Sequence, residues 1–143
     1  MPDIRLSVQI DAPPSEVYPL ISSGSGLSKW WAEDVTRQPD GTVDLGFFKR
    51  GLVYSVRLAK SAPPSQAEWA CLNGKEWEGT KLLFLLGESK GQSYLRFTHA
   101  GWEKATDYFV SCSTTWGALM FRIKAAAEGR PRGPLFSRDG WAL

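Results

Sequence analysis

Ile4, Leu6, Val8 and Ile10 alternate with Arg5, Ser7, Gln9 and Asp11, a period of two that predicts a strand with one buried face. Pro13 and Pro14 stop that pattern. Pro14 suits a first helical position, Glu16 favours the positive end of the helix dipole, and Val17, Leu20 and Ile21 form an apolar stripe, so a short helix follows. Pro19 removes one backbone donor near its middle and bends the helix or delays its start. Gly24 to Gly26 break the chain, and Leu27 to Trp31 read as a second short helix carrying two adjacent tryptophans.

Between Val35 and Thr98 the period returns to two, through Val43, Leu45 and Phe47, then Leu52, Tyr54, Val56 and Leu58, then Trp69 and Cys71. Leu82, Phe84 and Leu86 continue it, followed by Leu95 and Phe97. The breaks are turn-forming, PDG, KRG, SAPPS, NGKEWEG and ESKGQ, and such short returns imply antiparallel neighbours in a meander. After Trp102 the spacing changes to threes and fours through Phe109, Cys112, Trp116, Leu119, Met120, Ile123 and Ala127, with Gly129 and Pro131 as a stop. One long amphipathic helix is predicted, roughly from Thr106 to Glu128.

This order predicts an α+β domain over residues 1–130, a curved antiparallel sheet of about six to seven strands. Two short helices close one end, and a long C-terminal helix packs on the concave face. Residues 131–143, PRGPLFSRDGWAL, carry many breakers and are expected as an extended or partly disordered surface tail.

A chain of 143 residues is one domain by size and long enough for a sizeable core. A formal charge of +2 with no basic cluster argues against a nucleic-acid partner. The opening MPDIRLSVQIDAPP has an acid at its third position and no apolar run, so no signal peptide is read and a cytoplasmic location is expected. No stretch has the length and apolarity of a membrane span. Cys71 and Cys112 stand far apart without neighbouring ligands, which fits two reduced, buried thiols and neither a zinc site nor a redox pair. No cofactor motif occurs.

KEWEGTKLLFLL, then YLRFTHAGW, then a long helix ending AAAEGRP resemble the SRPBCC superfamily, the helix-grip fold shared by START domains and the birch-pollen allergen family. IDAPPSEVYPLI and SKWWAEDV are similar to one group within it, named for the activator of the heat-shock-protein-90 ATPase (AHSA-type). The resemblance covers most of residues 3–130 and implies a cavity between sheet and C-terminal helix that holds a small hydrophobic or amphipathic molecule: a lipid, an isoprenoid or a polyketide-like aromatic. It also implies two alternatives, a cyclase- or dehydratase-like enzyme on such a ligand, and a chaperone cofactor or protein-interaction domain, with a homodimer or a chaperone as partner.

The candidate ligand-binding residues follow from parity and stripe. Phe84 and Phe97 point inward from the sheet; Cys112, Trp116 and Met120 face it from the helix. Contact among Phe84, Phe97 and Trp116 would fill the interior and leave no room for a guest. His99 shares the inward parity of Leu95 and Phe97 and reads either as a group that meets a ligand, together with Tyr54, or as one that caps backbone groups at the strand end. Trp30 and Trp31 either stack on a planar ligand, one of them facing the pocket, or divide into core and lid. Trp69 and Trp77 bracket the NGK turn as edge packing or ligand stacking. Cys112 as a nucleophile would need His99 as its activating partner. Arg57 anchors a carboxylate or sits on the solvent face. The acid pairs Glu33 with Asp34 and Glu76 with Glu78 read as solvated charge; no residue is assigned a catalytic role and no metal cluster can be assembled.

Overall fold

The computed structural model describes residues 1–143. Seven antiparallel strands form one open sheet: β1 (Ile4–Ile10), β2 (Asp34–Arg37), β3 (Thr42–Phe47), β4 (Leu52–Ala62), β5 (Gln66–Cys71), β6 (Lys81–Ser89) and β7 (Gln92–Ala100). Their spatial order is β1-β7-β6-β5-β4-β3-β2. β2 to β7 are thus a meander, and β1 closes on β7 with Ile4 opposite His99 and Leu6 opposite Phe97. The alternation that predicted the strands is the alternation of burial: Leu82, Phe84 and Leu86 on β6 and Leu95, Phe97 and His99 on β7 all point to one covered face.

Helix α1 (Pro14–Ile21) packs on that face with Pro19 inside it. Its last carbonyls, which have no partner within a helix, are met by indoles: Trp30 Nε1 donates to Leu20 O at 2.7 Å and Trp69 Nε1 to Ile21 O at 2.8 Å. Helix α2 spans Gly24–Leu27, not Leu27 to Trp31. It starts early because Ser23 Oγ accepts from Gly26 N at 3.0 Å, the arrangement of a helix N-cap. Gly26 is needed there, since a Cβ would lie 2.1 Å from Pro19 O. The two tryptophans follow in a turn, which lets them stack at 5.7 Å with 12° between their planes, instead of diverging as helix neighbours would.

Helix α3 (Asp107–Ala127) begins where Thr106 Oγ1 accepts from Phe109 N at 3.2 Å and ends before Gly129 at φ +79°. Cys112, Trp116, Leu119, Met120 and Ile123 are its buried stripe. No helix is long and apolar enough to cross a membrane.

Residues 131–143 return to the domain. Leu135 and Phe136 are buried, and their amides donate to Trp30 O and Trp31 O at 3.0 Å each. Arg122, at the inner side of α3, donates to the carbonyls of Arg132, Gly133, Pro134 and Ala142. Asp34, read as solvated, is 7% exposed and pairs with Arg50 at 3.0 Å and with Arg138 of the tail at 3.5 Å. Glu33 accepts from Arg138 N at 2.8 Å.

Candidate functional site

The space beneath the centre of the sheet is filled. Phe84 and Phe97 lie 5.0 Å apart between ring centroids, and Phe97 meets Trp116 at 4.2 Å. Trp30 reaches Phe84 at 6.2 Å, and Trp31 reaches Trp116 at 5.0 Å. The expected cavity at Phe84 and Phe97 is therefore closed by direct ring contact.

An opening of about 150 Å3 lies to one side, where the β3–β4 hairpin, the loop after β5, the first half of α3 and the tail meet. Phe47, Phe48, Leu52 and Tyr54 come from the hairpin, Trp31 from the turn after α2, Trp77 from the loop after β5, and Phe136 and Trp141 from the tail. From α3 come Tyr108, Ser111, Cys112, Thr115, Trp116 and Leu119, the spacing of one helical face. Twelve of the fourteen lining residues are hydrophobic, and none is charged. Phe48 (43% exposed), Leu52 (36%) and Trp141 (51%) rim the mouth.

Four polar hydrogens gather at the inner end. Tyr54 and Tyr108 share a hydrogen bond between hydroxyls at 2.5 Å, and burial raises both pKa values. Cys112 is also raised, by burial first, with the Trp77 and Tyr108 side chains acting the other way. The Trp77 indole N–H is buried without a hydrogen-bond partner, while its ring lies flat on Tyr54 at 4.0 Å and 2°. That stack depends on Gly74, where φ is +101° and a Cβ would approach the Tyr54 ring to 2.5 Å.

His99 sits outside this opening and is spoken for. Trp116 Nε1 donates to its Nδ1 at 3.1 Å, and its Nε2 lies 2.8 Å from Thr80 Oγ1. Thr80 gives its own proton to Trp77 O at 2.6 Å, so Nε2 must carry the hydrogen. Burial lowers His99 from 6.5 to about 3, and the imidazole is neutral. It supports the strand end through Thr80, and both of its nitrogens are occupied.

Of the residues read from sequence, Trp31, Tyr54, Cys112 and Trp116 line the opening; Trp30, Trp69, Phe84, Phe97, His99 and Met120 belong to the closed core around it. Cys112 lacks the imagined partner, because His99 bonds Thr80 and Trp116 instead. Arg57 is half exposed and pairs with Asp40 at 3.6 Å. Glu76 accepts from Thr106 Oγ1 at 2.6 Å. No cluster of His, Cys, Asp and Glu stands close enough to hold a metal ion. Tyr108 was missed although it precedes Cys112 by four positions on the same helical face; Phe136 and Trp141 carry no periodic signal.

No protein-family model and no curated protein sequence matches the chain. Solved structures do. The Aha1 dimer from Colwellia psychrerythraea, determined in solution, has a TM-score of 0.78 at 28% identity, covering 91% of this chain and 98% of that one. CalU16 from Micromonospora echinospora follows at 0.69 and 18%, covering 92% of this chain and 68% of that one. DynU16, from the dynemicin biosynthetic locus, gives 0.72 and 13%, covering 92% of this chain and 49% of its own length. The latter two likenesses speak for the fold alone.

Proposed function

We propose that this chain, which resembles the SRPBCC superfamily of helix-grip proteins and its Aha1-type group, binds a small apolar or amphipathic molecule in the opening between Trp31, Tyr54 and the first half of α3. The observation that carries this reading is an uncharged concave site, lined by aromatic side chains from separate segments of the chain, in a domain whose centre is otherwise full. Such concavity with a few convergent polar groups is the usual form of a small-molecule site. A space near 150 Å3 suits one ring, because a dry apolar cavity of ~150 Å3 holds benzene. A lipid chain or fused-ring polyketide would have to project past Phe48, Leu52 and Trp141.

Removing ~150 Å2 of apolar ring surface from water contributes roughly 4 kcal/mol before the cost of immobilising the ligand, so a bare ring should bind with a dissociation constant on the order of 1 mM or weaker, and a longer molecule more tightly. Titration with toluene, followed by the indole N–H resonances, tests this. Saturable shifts confined to the four tryptophans of the opening, Trp31, Trp77, Trp116 and Trp141, are expected; linear shifts up to solubility, or shifts of Trp30, Trp69 and Trp102 as large, would overturn the reading.

A second reading, a protein-interaction domain that pairs with its own copy, draws on the likeness to the Aha1 dimer and on the exposed Phe48, Leu52 and Trp141. Sedimentation of the unaltered chain and of Trp141→Ser decides it: a dimer weakened by the substitution supports self-association, and a monomer at all concentrations removes it.

A further inference from the structure

The solvent side of α3 is built unlike an ordinary surface helix. Asp107, Val110, Thr114, Gly117, Phe121 and Lys124 recur at steps of three and four, which sets them in one row on the side away from the buried stripe. Val110 is 60% exposed and Phe121 65%. No charged residue stands between Asp107 and Arg122, and Arg122 turns to the tail carbonyls. A helix face that meets only water is ordinarily polar and charged. This one carries two large apolar groups with Thr114 and Gly117 between them.

Gly117 sharpens the anomaly. Glycine inside a helix is unfavourable beside alanine, and its use there is to let something approach the backbone closely. Nothing within the chain does so, since a Cβ at Gly117 would meet no atom within 4 Å. The contact that uses this room comes from outside the chain. The ends of the row carry opposite charges with capacity left over. Asp107 makes no ion pair within the chain. Lys124 donates to Gln9 O at 2.8 Å and to Glu128 Oε2 at 2.7 Å, which leaves one ammonium proton free.

We propose that this face seats a second copy of the chain, α3 against α3, antiparallel about a two-fold axis. Such a contact must be reciprocal, and the row satisfies that in a single register. Asp107 meets the partner's Lys124, Val110 the partner's Phe121, and Thr114 the partner's Gly117. Opposite charges then close both ends, an aromatic ring packs on a branched side chain at each flank, and the thin middle lets the helices approach. A parallel pairing would set Lys124 on the partner's Lys124 and lose the charge match. The row is ~25 Å long at 1.5 Å per residue, and a contact this narrow falls short of the ~1,600 Å2 of a standard interface, so a dissociation constant on the order of 100 µM is expected. The surface is separate from the mouth of the opening at Phe48, Leu52 and Trp141.

Sedimentation of the full chain at concentrations on either side of that value tests it. The unaltered chain should dimerise, Phe121→Glu should weaken the dimer at least ~10-fold by placing an unpaired charge in an apolar contact, and Trp141→Ser should leave it unchanged. Gly117→Ala should raise the urea midpoint of the folded chain and yet weaken the dimer, a split that a role confined to one chain would not produce. Register is read separately: under an added oxidant, a mixture of Val110→Cys and Phe121→Cys should form an interchain disulfide faster than either variant alone. Faster cross-linking of Val110→Cys with itself would overturn the antiparallel register. A dimer that survives Phe121→Glu and is lost in Trp141→Ser would move the contact to the mouth, overturning the α3 pairing while leaving that other surface in place. A chain that stays monomeric yet sediments with phosphatidylcholine vesicles would give the face to a lipid surface and overturn the second copy.

Discussion

The indole N–H of Trp116 points at Nδ1 of His99 across 3.1 Å, joining α3 to β7 through a polar contact inside an aromatic core. The contact requires Nδ1 to be unprotonated, and it continues through Thr80 to the carbonyl of Trp77. Helix, strand and pocket loop are thereby coupled by one neutral imidazole.

That coupling makes stability depend on pH with a definite sign. His99 is lowered by burial to about 3 from 6.5, so below pH 6.5 the unfolded chain binds a proton that the folded one refuses. The contribution is fully present above that point and lost as pH falls, by up to ~1.4 kcal/mol per pH unit. Glu128, lowered from 4.5 to about 2 chiefly by Lys124, loses its own contribution only below 4.5. Urea denaturation between pH 6.5 and pH 5 should therefore show a fall in the unaltered protein and a shallower one in His99→Gln. A flat profile in the unaltered protein would contradict the buried neutral imidazole.

The adjacent tryptophans should respond unequally to the same change. Trp30→Phe strands the Leu20 carbonyl, which now accepts at 2.7 Å, and should cost about 1–3 kcal/mol beyond the lost packing. Trp31→Phe strands no hydrogen-bonded carbonyl and should cost less, while it changes ring binding, because Trp31 lines the opening and Trp30 does not. Chemical denaturation and toluene titration of the two variants separate the effects; equal costs would count against the indole cap.

Much of this architecture was legible in the chain and some was not. Period-two runs located β1 and β6, and the three-and-four spacing located α3 almost to its ends, because burial on one face is what selects those periods. Parity correctly put Phe84, Phe97 and His99 inside. It could not reveal that Phe97 and Trp116 touch, since parity fixes which face a side chain takes and says nothing of what stands opposite. The tail was unreadable for a related reason: Leu135 and Phe136 are anchored by irregular backbone bonds to the Trp30–Glu33 turn and by ring contacts to the β3–β4 hairpin, with no repeat for periodicity to detect.

Arg122 should govern that tail. Its guanidinium holds the carbonyls of Arg132, Gly133, Pro134 and Ala142, so Arg122→Met should leave α3 intact and release the segment. Limited trypsin digestion should then cut after Arg138, which the anchored tail holds against Asp34, several-fold faster than in the unaltered chain. Unchanged cleavage would show that Leu135 and Phe136 suffice as anchors.

The two thiols should differ in access although both are buried. Burial raises Cys71 to about 11 and raises Cys112 as well, so both should react slowly at neutral pH and faster as pH rises. Cys112 lines the opening and Cys71 does not. A small neutral methanethiosulfonate should label Cys112 first, as read by peptide mass, and saturating toluene should slow it. Labelling of Cys71 first would place the accessible path elsewhere.

The parallel bridge between Ala32 and Phe136 also bears on how molecules of this protein meet each other in concentrated solution. It lies just ahead of β2, one of the two edge strands of the sheet, where open peptide groups invite pairing with a neighbouring molecule. A chain shortened before Phe136 would bare that margin together with the aromatic wall behind it, and its first symptom would be turbidity on concentration, ahead of any loss of helix or sheet.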